Sequence, residues 1–251
     1  MTYEIYQNLI YSWMALGAVI SMVLLNVAAP FGRHTTSNWG PLISNRLGWM
    51  VMEMPGMLIL MYFVLTNSSC HNILTGVLVS FYMFHYINRA FVFPFRIHTR
   101  GKKMPVIVVF LAICFNTING FFLGYYFGHF AHYASDYLLS SQFIAGTVLF
   151  ALGIYINWKY DNKLIHLRRP GDTGYVIPLG GLFERISCPN LFGEIIEWSG
   201  YAILCWNLPA VSFLVWTVAN LLPRALWHHR WYKRQFENYP ARRKALFPYV
   251  L

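Results

Sequence analysis

A carboxylate inside an apolar stretch is the first residue that invites a chemical reading. Glu53 stands between Met52 and Met54, with Pro55 after it. A charge within a membrane-crossing segment costs roughly 2.5–3.5 kcal/mol on insertion scales, so it belongs beside a partner or a cavity. Two roles are open to it: a helix lock with Arg46 or Arg89, or a working acid. A later apolar run ends in Phe84-His85-Tyr86-Ile87-Asn88-Arg89, where residues four apart share a helix face. Tyr86 reads as an interfacial aromatic. Alternatively, a phenol held by Glu53 can donate to a substrate carbonyl and stabilise the enolate that forms. His85 has no matched histidine in a facing run, so a polar helix contact is preferred to haem or metal ligation, and no metal site is expected.

Glu194 and Glu197 follow Asn190-Leu191-Phe192-Gly193 and lie on one helix face. They either complement a helix N-terminus or accept from an amide or sugar hydroxyls of a polar ligand. The cations that can oppose them are Arg168, Arg169, Arg224, His228, His229 and Arg230. Arginines converging from loop and tail can hold a pyrophosphate; the bland alternative is topology and anionic lipid. The ligand role is preferred for Arg168 and Arg224, and the bland one for Arg242-Arg243-Lys244, read as an exposed run. No GxGxxG follows a predicted strand, so a dinucleotide would have to bind within a helical bundle.

The elements that must position these groups follow from composition. The 251 residues are 57% hydrophobic and 11% charged, against roughly 25% charged in a soluble domain. Lipid must replace water over much of the surface. The net charge of +10 sits in short blocks between apolar runs, which favours membrane topology over nucleic acid. Four cysteines form no CxxC or metal spacing. The first apolar run, preceded by Glu4, reads as a retained span rather than a signal peptide.

Seven spans are expected, over about 7–29, 48–66, 72–94, 105–127, 141–158, 193–206 and 208–224, the last two divided at Asn207-Leu208-Pro209 or joined as one kinked helix. Basic blocks in 30–47, 95–104, 159–192 and the tail alternate with 67–71 and 128–140, which hold no Lys or Arg. The expected fold is therefore an all-α integral membrane protein, a single domain over 1–251. Its N-terminus is extracytoplasmic; its C-terminus, loops 95–104 and 159–192 and tail 225–251 are cytoplasmic. The long 159–192 connection reads as functional.

At these residues the chain resembles the steroid 5α-reductase family, the membrane 3-oxo-5α-steroid 4-dehydrogenases, and looks like a bacterial member. The likeness is carried by His85-Tyr86 with Arg89-Ala90-Phe91-Val92; by Pro170-Gly171 through Tyr175-Val176-Ile177-Pro178 to Gly180-Gly181-Leu182-Phe183; and by Asn190 to Trp198. Arg224 to Tyr232, Tyr239-Pro240 and Arg243 to Leu246 complete it. The resemblance implies that NADPH enters from the cytosol and steroid from the lipid. It implies Glu53 and Tyr86 as catalytic residues, and Asn157, Asp161, Arg168, Tyr175, Asn190, Glu194, Arg224, His228 and Tyr232 as the cofactor site. Glu197 falls in the same motif with a less certain role. Between Pro94 and Lys103, only Lys102 carries over as a cofactor contact. Animal members carry Gln before the Glu, whereas this chain has Met52, which bears on the choice of steroid.

The implied reaction is reduction of the 4-ene of a 3-oxo-steroid by hydride transfer with enolate stabilisation. The implied protein is a monomer in contact with lipid, with no nucleic-acid partner, and sits in a bacterial inner membrane. Alternatives are reduction of another enone or enoyl lipid (a polyprenol or enoyl thioester), or an S-adenosylmethionine-dependent membrane methyltransferase.

Overall fold

The structure, a computed structural model, describes residues 1–30, 32–67, 72–97, 101–167 and 174–251. Arg168, Arg169, Pro170 and Gly171 lie outside the described residues. Among the described residues there are seven long helices: α1 (Tyr3–Asn26), α2 (Asn45–Thr66), α3 (Ile73–Ile87), α5 (Val106–His129), α6 (Ser141–Ile165), α7 (Pro189–Cys205) and α8 (Leu208–Gln235). A short α4 (Phe93–Arg96) is joined to α3 by a π-helical turn, Asn88–Val92. Five of these helices, α1, α2, α5, α6 and α8, are long and apolar enough to cross a membrane. α3 and α7, with 15 and 17 residues, fall short of the roughly 20 that span a bilayer core untilted.

Local chemistry explains many of the ends. Thr2, Asn72, Ser140 and Asn207 each accept from a backbone N–H in the first turn of α1, α3, α6 and α8, satisfying donors a helix start leaves open. Trp206 adopts φ 46° and ψ 44°, a left-handed residue that ends α7, so 193–224 is two helices and not one kinked rod. The structure extends two of the expected elements. α6 runs on to Ile165, which places Lys159 and Lys163 on a helix and not in the 159–192 loop. α8 continues eleven residues past 224, because a helix need not stop where its apolar stretch does. The all-α expectation also misses a small antiparallel sheet, β1 (Leu42–Ser44) on β2 (Lys103–Pro105), which ties the segments before α2 and α5 together.

Lipid supplies no hydrophobic drive between helices, so close backbone packing at small residues takes its place. On α6, Gly146 and Gly153 face Leu204 and Glu197 of α7; in return Gly193 and Gly200 of α7 face Asn157 and Phe150. On α5, Gly120, Gly124 and Gly128 lie against the backbone of Gly56, Leu60 and Phe63 of α2. α1 joins α8 through aromatic groups: Trp13 lies 4.3 Å from Trp216, and the Trp216 and Trp227 indoles donate to the carbonyls of Trp13 and Leu24. Its other face exposes Ile5, Leu9, Leu16, Val19 and Val23, as a lipid-facing helix should.

The tail corrects one expectation. Arg243 is not on an exposed run: it is 1% exposed, donates to the Pro178 carbonyl at 3.2 Å and lies 5.0 Å from the Tyr239 ring. Nearby, the Ser187 hydroxyl meets His229 Nδ1 at 2.6 Å, Tyr239 Oη at 2.7 Å and the Lys244 carbonyl at 3.0 Å. The tail is thereby stitched onto the segment ahead of α7. Neither His229 nor the exposed Arg230, which lies over Trp227, joins the cation set near Arg224.

A Cβ on Gly153 would sit 2.1 Å from the Glu197 nitrogen, whereas one on Gly76 would meet nothing within 4 Å. Gly153→Val should therefore destabilise the protein by about 3 kcal/mol or more. Gly76→Ala should be neutral or stabilise by up to about 1 kcal/mol. Thermal unfolding of the two variants in detergent gives the comparison, and equal midpoints would contradict the packing described.

Candidate active site

The α2–α5 contact brings the first set of polar groups together. Glu53 is half-buried on α2. Its carboxylate accepts from Asn116 Nδ2 of α5 at 3.3 Å, and the same amide nitrogen donates to the Met52 carbonyl at 2.6 Å. Asn116 Oδ1 accepts from the Tyr86 hydroxyl of α3 at 2.8 Å. The acid and the phenol therefore do meet, through an amide. Tyr86 is 2% exposed and stacks 4.4 Å from Tyr82, one turn earlier on α3. Gly56, three residues after Glu53, leaves room for both rings: a side chain there would lie 2.9 Å from Tyr82 Oη and 3.2 Å from the Tyr86 ring.

The helix-lock reading of Glu53 needs correction. Among the described residues it forms no ion pair with Arg46 or Arg89. Arg46 donates to the Pro94 carbonyl and lies over Phe95. Arg89, carried on the π turn, is 9% exposed. It faces Asp161 of α6 at 3.8 Å and Glu194 of α7 at 3.9 Å, with its guanidinium 4.5 Å from the Trp49 ring. π turns inside helices often mark functional positions, and here the turn delivers a cation between two acids.

The α6–α7 contact completes that cluster. Asn157 Nδ2 donates to the Asn190 carbonyl at 3.0 Å and approaches Glu194 at 3.5 Å, and Asn190 Nδ2 donates to Asp161 at 2.9 Å. Four of the expected cofactor residues, Asn157, Asp161, Asn190 and Glu194, thus form one hydrogen-bonded group around Arg89. His85 Nδ1 meets Glu197 at 2.5 Å, as the polar-contact reading of His85 expects. Glu197 is fully buried and ties α7 to α3. Among the described residues no group of three or more His, Cys, Asp or Glu could hold a metal ion.

A second group of cations and rings gathers at the far end of α8. A partly open cleft is lined by Leu24, His34, Asn220, Arg224, Trp227 and His228, among others. His34 and His228 stack with ring centres 5.5 Å apart. Burial, and then the neighbouring Arg33, push the His34 imidazole below its ordinary range, so it is held neutral. Arg33 donates to Tyr232 Oη at 3.2 Å and lies over Tyr175, Trp231 and Tyr232 at 4.4 to 5.4 Å. Lys102 comes within 6.0 Å of the Tyr175 ring.

This chemistry fits a dinucleotide. Among the described residues, Arg33 Nη1, His34 Nε2 and His228 Nδ1 are buried nitrogens without a hydrogen-bond partner, and buried polar atoms of that kind call for one. Anionic oxygens would suit the guanidinium, and the rings offer faces for a base. At the other end, Glu194, Asp161 and the two asparagines present acceptors and amides suited to hydroxyls and a carboxamide.

Three participants escape the sequence reading. Asn116 is a neutral amide in an apolar run, so a search for ionisable groups passes over it, although any polar group within a span is the same kind of signal. Arg33 and His34 count there only as loop residues. Arg168 lies outside the described residues.

Fold and site together define a polytopic α-helical membrane protein with a buried cluster of charged side chains. The family model of 3-oxo-5-alpha-steroid 4-dehydrogenases matches residues 102–251. A steroid 5-alpha-reductase of Gossypium hirsutum is 38% identical over 242 residues, covering 94% of this chain and 93% of its own. A 3-oxo-5-alpha-steroid 4-dehydrogenase 1 of Rattus norvegicus is 40% identical over 238 residues, covering 93% and 91%. The Bos taurus protein of the same name is 38% identical over 247 residues, covering 97% and 96%. The chain belongs to the 3-oxo-5α-steroid 4-dehydrogenase family, oxidoreductases acting on CH–CH bonds. These relatives are plant and mammalian, and give no support to a bacterial inner membrane in particular.

Removing one member of a buried pair leaves the other unpaired and costs about 3–5 kcal/mol. Glu197→Ala should therefore lower stability by that order, while Glu197→Gln, which still accepts from an imidazole N–H, should lose clearly less. Chemical or thermal unfolding in detergent ranks the two; a ranking with Gln the worse would contradict the pairing.

Proposed function

We propose that the protein reduces the 4,5 double bond of 3-oxo-4-ene steroids to 5α-steroids, using NADPH. The observation that carries this reading is the hydrogen-bonded set Glu53–Asn116–Tyr86 beside the Arg89 cluster. Together they provide a buried phenol for a carbonyl and, adjoining it, groups for a polar cofactor. The reading takes residues 1–251 as one domain and all seven long helices as spans, with the tail cytoplasmic. NADPH would enter from that side and steroid from the lipid, and the protein would act as a monomer.

In this mechanism Tyr86 turns its O–H to the 3-oxo group and stabilises the oxyanion as the enone becomes an enolate. NADPH, when bound, supplies the hydride that adds to the β-carbon. The enolate then takes up a proton at the α-carbon, so that one hydride and one proton account for the saturated product. Glu53 holds the phenol's setting through Asn116. Asn157, Asp161, Asn190 and Glu194 would hold the hydroxyls and carboxamide of the cofactor. Arg168, Arg224, His228, Tyr175 and Tyr232, with Arg33 and His34, would hold its phosphates and base. The stacked tyrosines and Trp198, 6.3 Å from Tyr86, keep water from the reacting carbonyl. Family membership sets aside the methyltransferase alternative, and another enone or enoyl lipid remains the second substrate class to assay.

Purified protein in lipid, given NADPH with progesterone, testosterone or an enoyl lipid in turn, tests the reading through loss of nicotinamide absorbance. The steroid reaction should proceed, and oxidation with the enoyl lipid alone would redirect the assignment. Tyr86→Phe should lower kcat by about 10²-fold or more while NADPH affinity, followed by fluorescence, stays nearly intact. Arg224→Ala and Arg33→Ala should each weaken NADPH by about tenfold or more with little change in steroid affinity. The converse pattern would show that the two ends of the site have been interchanged.

A further inference from the structure

We infer that Asn116 is the positioning residue that fixes Tyr86 for the reaction, an inference that rests on the reading above. Its amide is 3% exposed and its orientation follows from its neighbours. Nδ2 lies 2.6 Å from the Met52 carbonyl and 3.3 Å from the Glu53 carboxylate, both acceptors. Turning the amide over would set Oδ1 against these two oxygens, so the donor end stays on α2. Oδ1 is thereby committed to α3, where it accepts from Tyr86 at 2.8 Å. Met52 cannot supply such a link: its side chain is a thioether packed among Trp49, Met104 and Val109. The connection between acid and phenol comes wholly from α5.

A carboxamide does not exchange a proton readily, so Asn116 transmits position and not charge. Before substrate binds, the phenol O–H is directed at Oδ1; a ligand carbonyl then competes for that one proton. The phenol oxygen can stay where stacking on Tyr82 and the Gly56 gap hold it, and only the O–H need rotate. A bare carboxylate in the amide's place would repel Glu53. An apolar group would leave Glu53 without this donor and the phenol without an anchor.

The charged and titratable groups that act on Glu53 and Tyr86, the two partners of this amide, are Tyr82 and His85 on α3, Arg89 on the π turn, Glu194 on α7 and Arg224 on α8. Asn116→Leu and Asn116→Asp separate positioning from helix packing. With progesterone and NADPH, Asn116→Leu should lower kcat by about 10²-fold without shifting the KM for NADPH. Asn116→Asp should be equally poor at alkaline pH. As pH falls it should recover relative to wild type, because the protonated carboxyl again donates to α2 and accepts from Tyr86. Asn116→Leu should show no such recovery.

A readout independent of turnover is the infrared stretch of progesterone labelled with ¹³C at the 3-oxo carbon, bound with NADP⁺. The lowering of that frequency in wild type should vanish in Tyr86→Phe and weaken in Asn116→Leu. An Asn116→Leu enzyme within about threefold of wild type, an unchanged carbonyl frequency, or a pH-independent ratio for Asn116→Asp would overturn the inference. If Asn116→Leu fails to fold, the pH ratio and the infrared shift of Asn116→Asp decide it alone. A wild-type protein inert toward progesterone would instead overturn the underlying function.

Discussion

The close approach of helix backbones at glycine is the constraint on which the rest depends. Gly153 of α6 lies against the Glu197 backbone, and Gly193 of α7 against Asn157. These contacts bring Asn157 and Asp161 within hydrogen-bonding reach of Asn190 and approach to Glu194. Likewise, Gly120 lies on Gly56, and one turn along the same interface Asn116 reaches Glu53 and Met52. Wider spacing at either interface would separate the polar groups by more than a hydrogen bond's length. Small residues serve packing between helices in lipid; here the same residues set the geometry of the chemistry.

Such packing must be strong because the groups it assembles are costly to bury. Arg89, Asp161, Glu194, Glu197 and His85 lie in one bundle interior, and each needs a partner to offset desolvation. Arg89 shares two acids and two aromatic faces; His85 and Glu197 take each other. The His85–Glu197 pair also joins α3 to the α6–α7 unit. It thereby links the part of the protein that carries the phenol to the part that carries the acids.

How much of this was legible depends on the kind of signal each residue leaves. The caps at Thr2, Asn72, Ser140 and Asn207, the division at Asn207 and the apolar runs are local features of sequence, and the structure follows them. α8 past 224 is different, because hydropathy records where lipid contact ends and not where hydrogen bonding ends. The π turn leaves only Pro94 as a trace. Arg243 belongs to a basic run indistinguishable by charge from a solvated one, and only the fold of the tail over Pro178 buries it. Motif and resemblance point to Glu53, Tyr86, Asn157, Asp161, Asn190 and Glu194. Neither points to the amide joining the first two, since a lone Asn in an apolar helix carries no charge to mark it.

Charge then gives the site a direction. Around Arg89 the acids outnumber the cation, whereas Arg33, His34 and His228 at the cleft have no carboxylate at ion-pair distance among the described residues. A ligand with anionic oxygens at one end and neutral hydroxyls and an amide at the other is therefore favoured in one orientation and opposed in the reverse. Asn116 stands beyond the acidic end, where a neutral link serves better than a charged one: another carboxylate would raise the electrostatic cost of Glu53 and Glu194 together. The phenol it holds is thus kept close to several charges and bonded directly to none. It remains an uncharged donor, the state in which it can give a hydrogen bond to a carbonyl as negative charge develops there.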